Sequence, residues 1–138
     1  MSTTVIVAAA IVAGEPARVL AAQRSYPAEL AGLWELPGGK VHDGESDMDA
    51  LVRECREELG VDVRPTRRLG DDVAIGPQTL LRVWWAELVR GEPTALEHRA
   101  LRWIDREDID GLPWLPSDAP VVAALHADWP GPTDSVRG

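Results

Sequence analysis

The amino-acid sequence predicts one domain of mixed α and β structure, and three observations lead to this prediction. Residues 4–13 form a continuous apolar run rich in valine and isoleucine, which is typical of a β-strand. Residues 47–59 carry apolar side chains at helical spacing between a helix start and a glycine stop. With 138 residues, the chain has room for one domain that buries about two-thirds of its unfolded surface.

The first two strands are expected to form a hairpin. Glu15 and Pro16 end the first apolar run, and a second run follows at 18–23. Turn residues between two strand-like runs indicate antiparallel pairing. Residues 25–33 are interpreted as a loop, and residues 34–40 lead through a Pro-Gly-Gly sequence towards the predicted helix.

The helix is predicted to begin after Ser46 and to end at Gly60. Ser46, with Asp49 three residues later, forms an S-x-x-D helix start, and glycine commonly ends a helix. Five apolar residues share one stripe of this helix, namely Met48, Leu51, Val52, Cys55 and Leu59. We expect this stripe to face the core, so Cys55 is interpreted as a core residue and not as a nucleophile.

Three further strands are predicted after the helix. They are expected at 61–75 with an interruption near Pro65, at 79–89 and at 100–104. Each run is bounded by turn residues. The domain is expected to span residues 1–129, and residues 130–138, rich in Gly, Pro and Ser, are expected to form a flexible tail.

Two short helices are predicted near the C-terminus. Asp105 can cap the first, near 106–109, because aspartate is a favoured N-cap residue. Ser117 or Asp118, with Pro120 in the first turn, opens the second, which runs to about residue 127.

The charge of the chain argues against one class of function. The formal net charge is −9, and there is no basic stripe of the kind that binds DNA or RNA polymers. No stretch approaches the length of a membrane span, and the N-terminus lacks the basic region of a signal peptide. One cysteine excludes an internal disulfide, so we expect a cytoplasmic protein without a membrane or nucleic-acid partner. The oligomeric state stays open.

A spaced motif runs from Gly39 to Val61. It reads glycine, five residues, glutamate, seven residues, Arg-Glu, two residues, Glu-Glu, one residue, glycine. At about 5–7% per residue type, seven fixed letters match a random start on the order of once in 10⁸ to 10⁹. The spacing is therefore too specific for an ordinary charged helix.

Three glutamates of this motif share a face of the predicted helix. Glu54, Glu57 and Glu58 stand at i, i+3 and i+4, where their carboxylates repel one another unless a cation lies among them. Carboxylate oxygens suit Mg²⁺ or Mn²⁺. The alternative is a solvated acidic face. We favour the metal because a glycine-rich loop ends at the same helix start and Arg53 lies one turn before Glu57.

The motif resembles a complete Nudix box. Outside it, the stretches Gln23-Arg24, Leu33-Trp34-Glu35-Leu36-Pro37-Gly38-Gly39-Lys40, 97–103 and 116–120 resemble MutT-type nucleotide pyrophosphohydrolases. The resemblance covers residues 4 to 128 and is nearest to the small CTP or dCTP pyrophosphohydrolases. It implies the Nudix fold, a three-layer α/β/α sandwich with a mixed sheet.

The resemblance also implies a metal site and catalytic roles. Mg²⁺, for which Mn²⁺ can substitute, would be held by the three box glutamates, the carbonyl of Gly38 and Glu97. The general base would be Glu54 or Glu97, an alternative that the sequence leaves open. Arg53 would orient the glutamates, and Gly39, Glu45 and Gly60 would serve structural roles in the motif.

The substrate implied by the resemblance is a nucleoside triphosphate. Lys40 and Arg24 would contact the phosphates, and Leu36, with Val5 and Val7, would form an apolar wall for the base. The products would be a nucleoside monophosphate and pyrophosphate.

Asp118 bears on the choice of base. An ionised aspartate only accepts hydrogen bonds, and cytosine presents its N4 amino group as a donor. We therefore expect (d)CTP or a modified dCTP as substrate. In the alternative, Asp118 only caps the last helix. An 8-oxo-dGTP diphosphatase and a catalytically silent nucleotide-binding module are the other functions that the sequence leaves open.

Overall fold

The computed structural model of the protein describes residues 3–130. The predicted flexible tail lies, apart from Pro130, outside these residues. Eight strands are present in the described range: β1 (Thr4–Ala13), β2 (Arg18–Gln23), β3 (Trp34–Glu35), β4 (Gly38–Lys40), β5 (Asp62–Arg68), β6 (Val73–Gly76), β7 (Thr79–Arg90) and β8 (Ala100–Ile104). The two α-helices are α1 (Asp47–Leu59) and α2 (Ala119–Ala127).

The strands form one mixed sheet with the order β3-β2-β1-β7-β5. Strands β1 and β7 are parallel, from Thr4 opposite Thr79 to Val12 opposite Glu87, and the other pairings are antiparallel. The predicted hairpin of β1 and β2 is confirmed. Strand β1 lies in the interior of the sheet, because it pairs with β7 on one side and with β4 and β2 on the other. Its continuous apolar sequence is typical of such a strand.

One edge of β1 changes partner along its length. Its first half pairs with β4, with Ala8 opposite Gly38, whereas its last residues pair with β2, with Val12 opposite Val19. Strand β2 then continues alongside β8 and β3. The end of β2 is thereby separated from β1, and the cavity described below lies at this separation.

Helix α1 begins and ends as predicted. The Ser46 hydroxyl accepts a hydrogen bond from the Asp49 backbone N–H at 3.1 Å. Gly60 adopts φ 69°, and its N–H donates to the Arg56 carbonyl. A left-handed residue at this position satisfies a carbonyl that the helix leaves free, and glycine adopts it without steric cost.

The buried face of α1 differs from the predicted stripe. Leu51, Cys55 and Leu59 are fully buried, but Met48 is 48% exposed. At about 100° per residue, the buried side chains span an arc whose centre lies near Glu58, and Met48 lies at the margin of this arc. The face that carries the glutamates and the face that packs on the core therefore overlap, and Glu58 belongs to both.

The two helices cover opposite faces of the sheet, which confirms the three-layer arrangement. Alternate residues of β1 pack into two separate clusters, Val7 and Ile11 with α1 and Ala8 and Ala10 with α2. Trp84 and Trp85 join opposite clusters, as expected of neighbours on a strand. All six tryptophans lie in or against these two clusters.

Two local predictions need correction. Strand β5 continues through Pro65, and the break in the predicted 61–75 run falls after Arg68 instead. Proline is tolerated because β5 is at the edge of the sheet, and the pairing shifts register just after it. The helix near 106–109 is a 3₁₀ helix, Arg106–Gly111, at whose start the Asp105 N–H donates to the Asp108 carboxylate at 2.9 Å. Within residues 3–130, no helix combines the length and hydropathy needed to cross a membrane.

Candidate active site

A cavity of about 600 Å³ opens where β1 changes partner. Backbone and side chains of β1, β4, the loop after β2, the segment before β8 and the start of α2 line it. Its apolar walls come from Ile6, Val7, Leu36, Ile75, Leu81, Val83 and Val121. Val7 and Leu36, which were predicted as walls, are among the lining residues, whereas Val5 is not. The side chains of Val5 and Val7 both pack on the α1 side of the sheet. A cavity with apolar walls and few polar groups is the usual form of a small-ligand site.

Arg53 is the centre of a carboxylate cluster beside this cavity. Its Nε lies 2.8 Å from Glu45 Oε2, and its Nη1 lies 3.0 Å from Glu54 Oε2 and 3.2 Å from Glu57 Oε2. Its Nη2 donates to the Lys40 carbonyl at 2.9 Å. One guanidinium therefore joins the helix to the loop before it, as a planar donor with five N–H groups can.

Glu45 ties the other end of this loop. It accepts from Arg53 and from the His42 backbone N–H, the latter at 3.0 Å. These hydrogen bonds lower the pKa of Glu45 to about 2. Its carboxylate is thus engaged in holding the loop, where the sequence predicted a structural role.

Two glycines bring the loop backbone against the helix and the sheet. A Cβ at Gly39 would lie 2.4 Å from Glu54 Cδ, and a Cβ at Gly38 would lie 1.9 Å from the Val7 carbonyl oxygen. At Gly38 the close atoms belong to the backbone, so only hydrogen fits there, whereas a Cβ at Gly39 would displace the end of the Glu54 side chain. The Glu54 carboxylate therefore lies directly on the backbone of Gly39.

Glu58 is the one buried charged residue of the described core. It is 8% exposed, and its Oε1 has no hydrogen-bond partner among the described residues. Burial, with the adjacent Glu54 carboxyl, raises the pKa of Glu58 well above its usual range. A buried acceptor without a donor is costly. A cation would satisfy it, so the residues present fit a hard divalent metal.

The predicted ligands are only partly brought together. Glu58 and Glu97 line the cavity, as does the backbone of Gly38. Glu57 is about half exposed and accepts from Arg53, while the Lys40 side chain is exposed and outside the cavity lining. Across residues 3–130, no three His, Cys, Asp or Glu side chains already stand as a metal-binding group.

Glu35 and His98 were missed by the sequence analysis. Glu35 accepts from Arg24 Nη1 at 3.1 Å, and its other oxygen lies 3.0 Å from His98 Nε2. His98 Nε2 is in turn 3.9 Å from Glu58 Oε1. A row of polar groups therefore runs from Arg24 to Glu58. Both residues stand inside stretches that resemble the family, which was the available signal.

Asp118 occupies the N-cap position of α2 but makes no capping hydrogen bond through its side chain. It lines the cavity instead. Burial and the Glu35 charge raise the pKa of Asp118 to about 7, although the Arg24 guanidinium opposes the shift. Near neutral pH the carboxyl therefore exists in both forms, and the assumption that it only accepts hydrogen bonds does not hold throughout this range.

Cys55 lies in the core, away from this chemistry. Burial raises the pKa of Cys55 to about 12, so the thiol stays protonated at neutral pH. A protonated, buried thiol is a poor nucleophile. This agrees with the structural role predicted for it.

Comparison with known proteins identifies the family. The family model described as the NUDIX domain matches residues 3–125. The chain is 46% identical over 128 residues to the Mycobacterium tuberculosis protein named putative 8-oxo-dGTP diphosphatase 2, and this alignment covers 91% of this chain and 89% of the relative. It is 38% identical over 116 residues to the Escherichia coli CTP pyrophosphohydrolase, and this alignment covers 80% of this chain and 83% of the relative.

A solved structure agrees with this result. An Escherichia coli protein determined in solution superimposes with a TM-score of 0.75 at 34% identity, covering 95% of this chain and 96% of the other. Likeness at this level of identity extends over both the sheet and the helices described above. On its sequence motif, its fold and these relatives, the chain belongs to the Nudix hydrolase family, whose members generally use a divalent metal such as Mg²⁺.

Proposed function

We propose that the protein is a Mg²⁺-dependent pyrophosphohydrolase that converts a nucleoside triphosphate into a nucleoside monophosphate and pyrophosphate. The observation that carries the proposal is the buried, unpartnered Oε1 of Glu58 at a cavity that also contains Asp118. A bound cation would compensate the cost of ionising this buried carboxyl, and a cavity of about 600 Å³ has room for a nucleotide.

Glu54, Glu58 and Glu97, with the Gly38 carbonyl, would hold Mg²⁺, and Mn²⁺ could substitute because it prefers the same oxygen ligands. Glu57 would join them or remain with Arg53. The bound ion supplies charge neutralisation for the phosphates and makes water a better nucleophile at neutral pH.

The remaining roles belong to this chain's own side chains. Arg53 holds the Glu54 carboxylate through its 3.0 Å contact, which fixes the orientation of that side chain. Glu54 or Glu97 accepts the proton of the attacking water. Arg24, which lines the cavity, and Lys40, at the exposed end of β4, carry positive charge for the triphosphate.

Two substrates fit Asp118, one for each protonation state. The ionised carboxylate accepts from the cytosine N4 amino group, which favours (d)CTP. The protonated form both donates and accepts hydrogen bonds, as an amide does. It therefore favours 8-oxo-dGTP, whose base presents donors and acceptors side by side. We take (d)CTP as the first candidate and 8-oxo-dGTP as the second, since the pKa of Asp118 near 7 and the name of one relative both support the latter.

Raising the pH from 6 to 8 is expected to shift selectivity towards dCTP. The native carboxyl of Asp118 keeps its proton until about pH 7, so the acceptor form predominates only above that pH. The ratio of ionised to protonated carboxyl changes about hundredfold between pH 6 and 8, so we expect the ratio of kcat/KM for dCTP to that for 8-oxo-dGTP to rise by up to roughly hundredfold. In Asp118→Asn the ratio should be low and independent of pH. A wild-type ratio that stays constant from pH 6 to 8 would contradict this role.

The function itself is tested by a substrate panel. dCTP, CTP, 5-methyl-dCTP, 8-oxo-dGTP and ADP-ribose are supplied at equal concentration, with and without Mg²⁺, and the products are separated by chromatography. We expect a monophosphate and pyrophosphate from at least one triphosphate, only with Mg²⁺ present. A protein that binds a nucleotide without cleaving it would be the silent module, and cleavage of ADP-ribose alone would also exclude the proposal.

The setting of this activity is part of the proposal. We propose that residues 1–129 act as one catalytic domain in the cytoplasm, where the substrate nucleotides are found. The buried, protonated Cys55 is compatible with a reducing compartment.

A further inference from the structure

Tyr26 is an exposed aromatic residue at the cavity. It is the one tyrosine of a chain that has no phenylalanine, and its side chain is 64% exposed to solvent. It lines the cavity, and the only other ring systems among the described lining residues are the His98 imidazole and the Pro116 pyrrolidine. Aromatic side chains that line a cavity are among the groups that usually contact a bound small ligand.

The loop that carries Tyr26 is held in place by hydrogen bonds. Arg24 Nε donates to the Tyr26 carbonyl at 3.1 Å, and the Arg24 guanidinium carbon lies 5.9 Å from the centre of the ring. Nη1 of the same guanidinium donates to Glu35. The Ser25 hydroxyl donates to the Glu97 carbonyl at 3.2 Å, which joins this loop to the segment before β8.

The ring and the base-reading carboxyl share one neighbour. Arg24 contacts the Tyr26 ring, and its charge acts on Asp118 across the same cavity. Tyr26 and Asp118 both line this cavity, so a base that bonds to Asp118 lies in the same cavity as the Tyr26 ring. The aliphatic walls provide apolar contact there, but no described indole or phenyl ring other than Tyr26 lines the cavity.

We propose that Tyr26 is the aromatic wall on which the nucleobase of the bound triphosphate stacks, an inference that rests on the proposed function. Stacking on an aromatic face tolerates any base, because every base has a π-face. Tyr26 therefore distinguishes triphosphates that carry a base from those that do not. Asp118 then discriminates between bases.

The test compares dCTP with 2-deoxyribose 5-triphosphate, which lacks the base. In Tyr26→Ala we expect KM for dCTP to rise about tenfold to hundredfold, the range that loss of base stacking gives. The kcat for dCTP and the kcat/KM for the base-free triphosphate should change by less than about twofold. Tyr26→Phe and Tyr26→Trp should restore the low KM. Val89→Ala, which removes another exposed apolar side chain outside the cavity lining, is the matched control.

Two results would overturn the inference. Equal losses on both triphosphates would mean that Tyr26 only supports the loop, and an unchanged KM for dCTP would mean that the base does not touch it. Should the wild-type protein cleave neither compound, the proposed function fails separately. In that case calorimetry with dCMP and 2-deoxyribose 5-phosphate still tests the inference. Stacking predicts that Tyr26→Ala weakens the binding of dCMP and leaves the binding of 2-deoxyribose 5-phosphate unchanged.

Discussion

Glu58→Gln is expected to reduce kcat/KM by roughly 10³-fold, because the amide removes the charge that a cation needs at the centre of the site. The affinity for Mn²⁺, measured by electron paramagnetic resonance, should fall with it. Glu107→Gln, an exposed glutamate outside the cavity lining, is the control and should leave both quantities unchanged.

The same substitution should stabilise the metal-free protein. The pKa of Glu58 is raised in the native state, so the unfolded chain releases this proton at a lower pH and native stability falls as pH rises above the ordinary value of 4.5. Glutamine does not titrate. We therefore expect urea unfolding to give a larger free energy of unfolding for Glu58→Gln, with a gain that grows between pH 5 and 8. A variant that is both less stable and less active would instead indicate a packing role.

Parallel glutamine variants separate the other carboxylates. Loss of rate with Mn²⁺ affinity retained identifies the general base, whereas loss of both identifies a ligand. This comparison of Glu54→Gln with Glu97→Gln decides which of the two takes the proton from water. Near-full activity in Glu97→Gln would remove that residue from the site.

Gly39→Ala is expected to abolish activity while the protein remains folded. The new Cβ would lie 2.4 Å from Glu54 Cδ, so the side chain of Glu54 must move to make room. Because the atoms that must move are the carboxylate end of the Glu54 side chain and not backbone, the fold can accommodate this shift. A displacement of about 1 Å in a catalytic group can cost on the order of 10²-fold in rate, and we expect at least that loss.

Two other glycines serve as comparisons for Gly39→Ala. Gly111→Ala introduces a Cβ with no neighbour within 4 Å and should preserve both activity and melting temperature. Gly38→Ala would place its Cβ 1.9 Å from the Val7 carbonyl, where backbone and not a side chain must move, so we expect a large loss of stability. Wild-type activity in Gly39→Ala would show that the position of Glu54 is not critical.

Local features of the fold were predictable from the sequence. Ser46 and Gly60 fix the ends of α1 through contacts within a few residues of themselves, so the pattern contains the necessary information. The mixed composition of strands and helices followed in the same way. By contrast, the predicted interruption at Pro65 was wrong, because the sequence does not reveal that β5 lies at an edge of the sheet, where proline is tolerated.

The unequal surroundings of the box glutamates could not be predicted. Glu54, Glu57 and Glu58 are chemically identical, and only the docking of α1 against the sheet decides that Glu58 is buried and Glu57 is half exposed. The contact between Glu35 and His98 joins residues 63 positions apart, which no local pattern encodes. The raised pKa of Asp118 likewise depends on its surroundings and not on its residue type.

The partner change along β1 divides the site between two kinds of chain segment. The box carboxylates belong to one helix and its preceding loop, which Arg53 binds together. The cavity residues that we propose to face the base come from separate segments, the loop carrying Tyr26, strand β6 with Ile75, and the start of α2 with Asp118. Substitutions in these segments can alter which nucleotide is accepted while the hydrolytic apparatus stays intact. Under the proposed function, exchanging these segments between relatives is expected to transfer nucleotide preference without loss of hydrolysis, provided that Ser25 keeps its hydrogen bond to the Glu97 carbonyl.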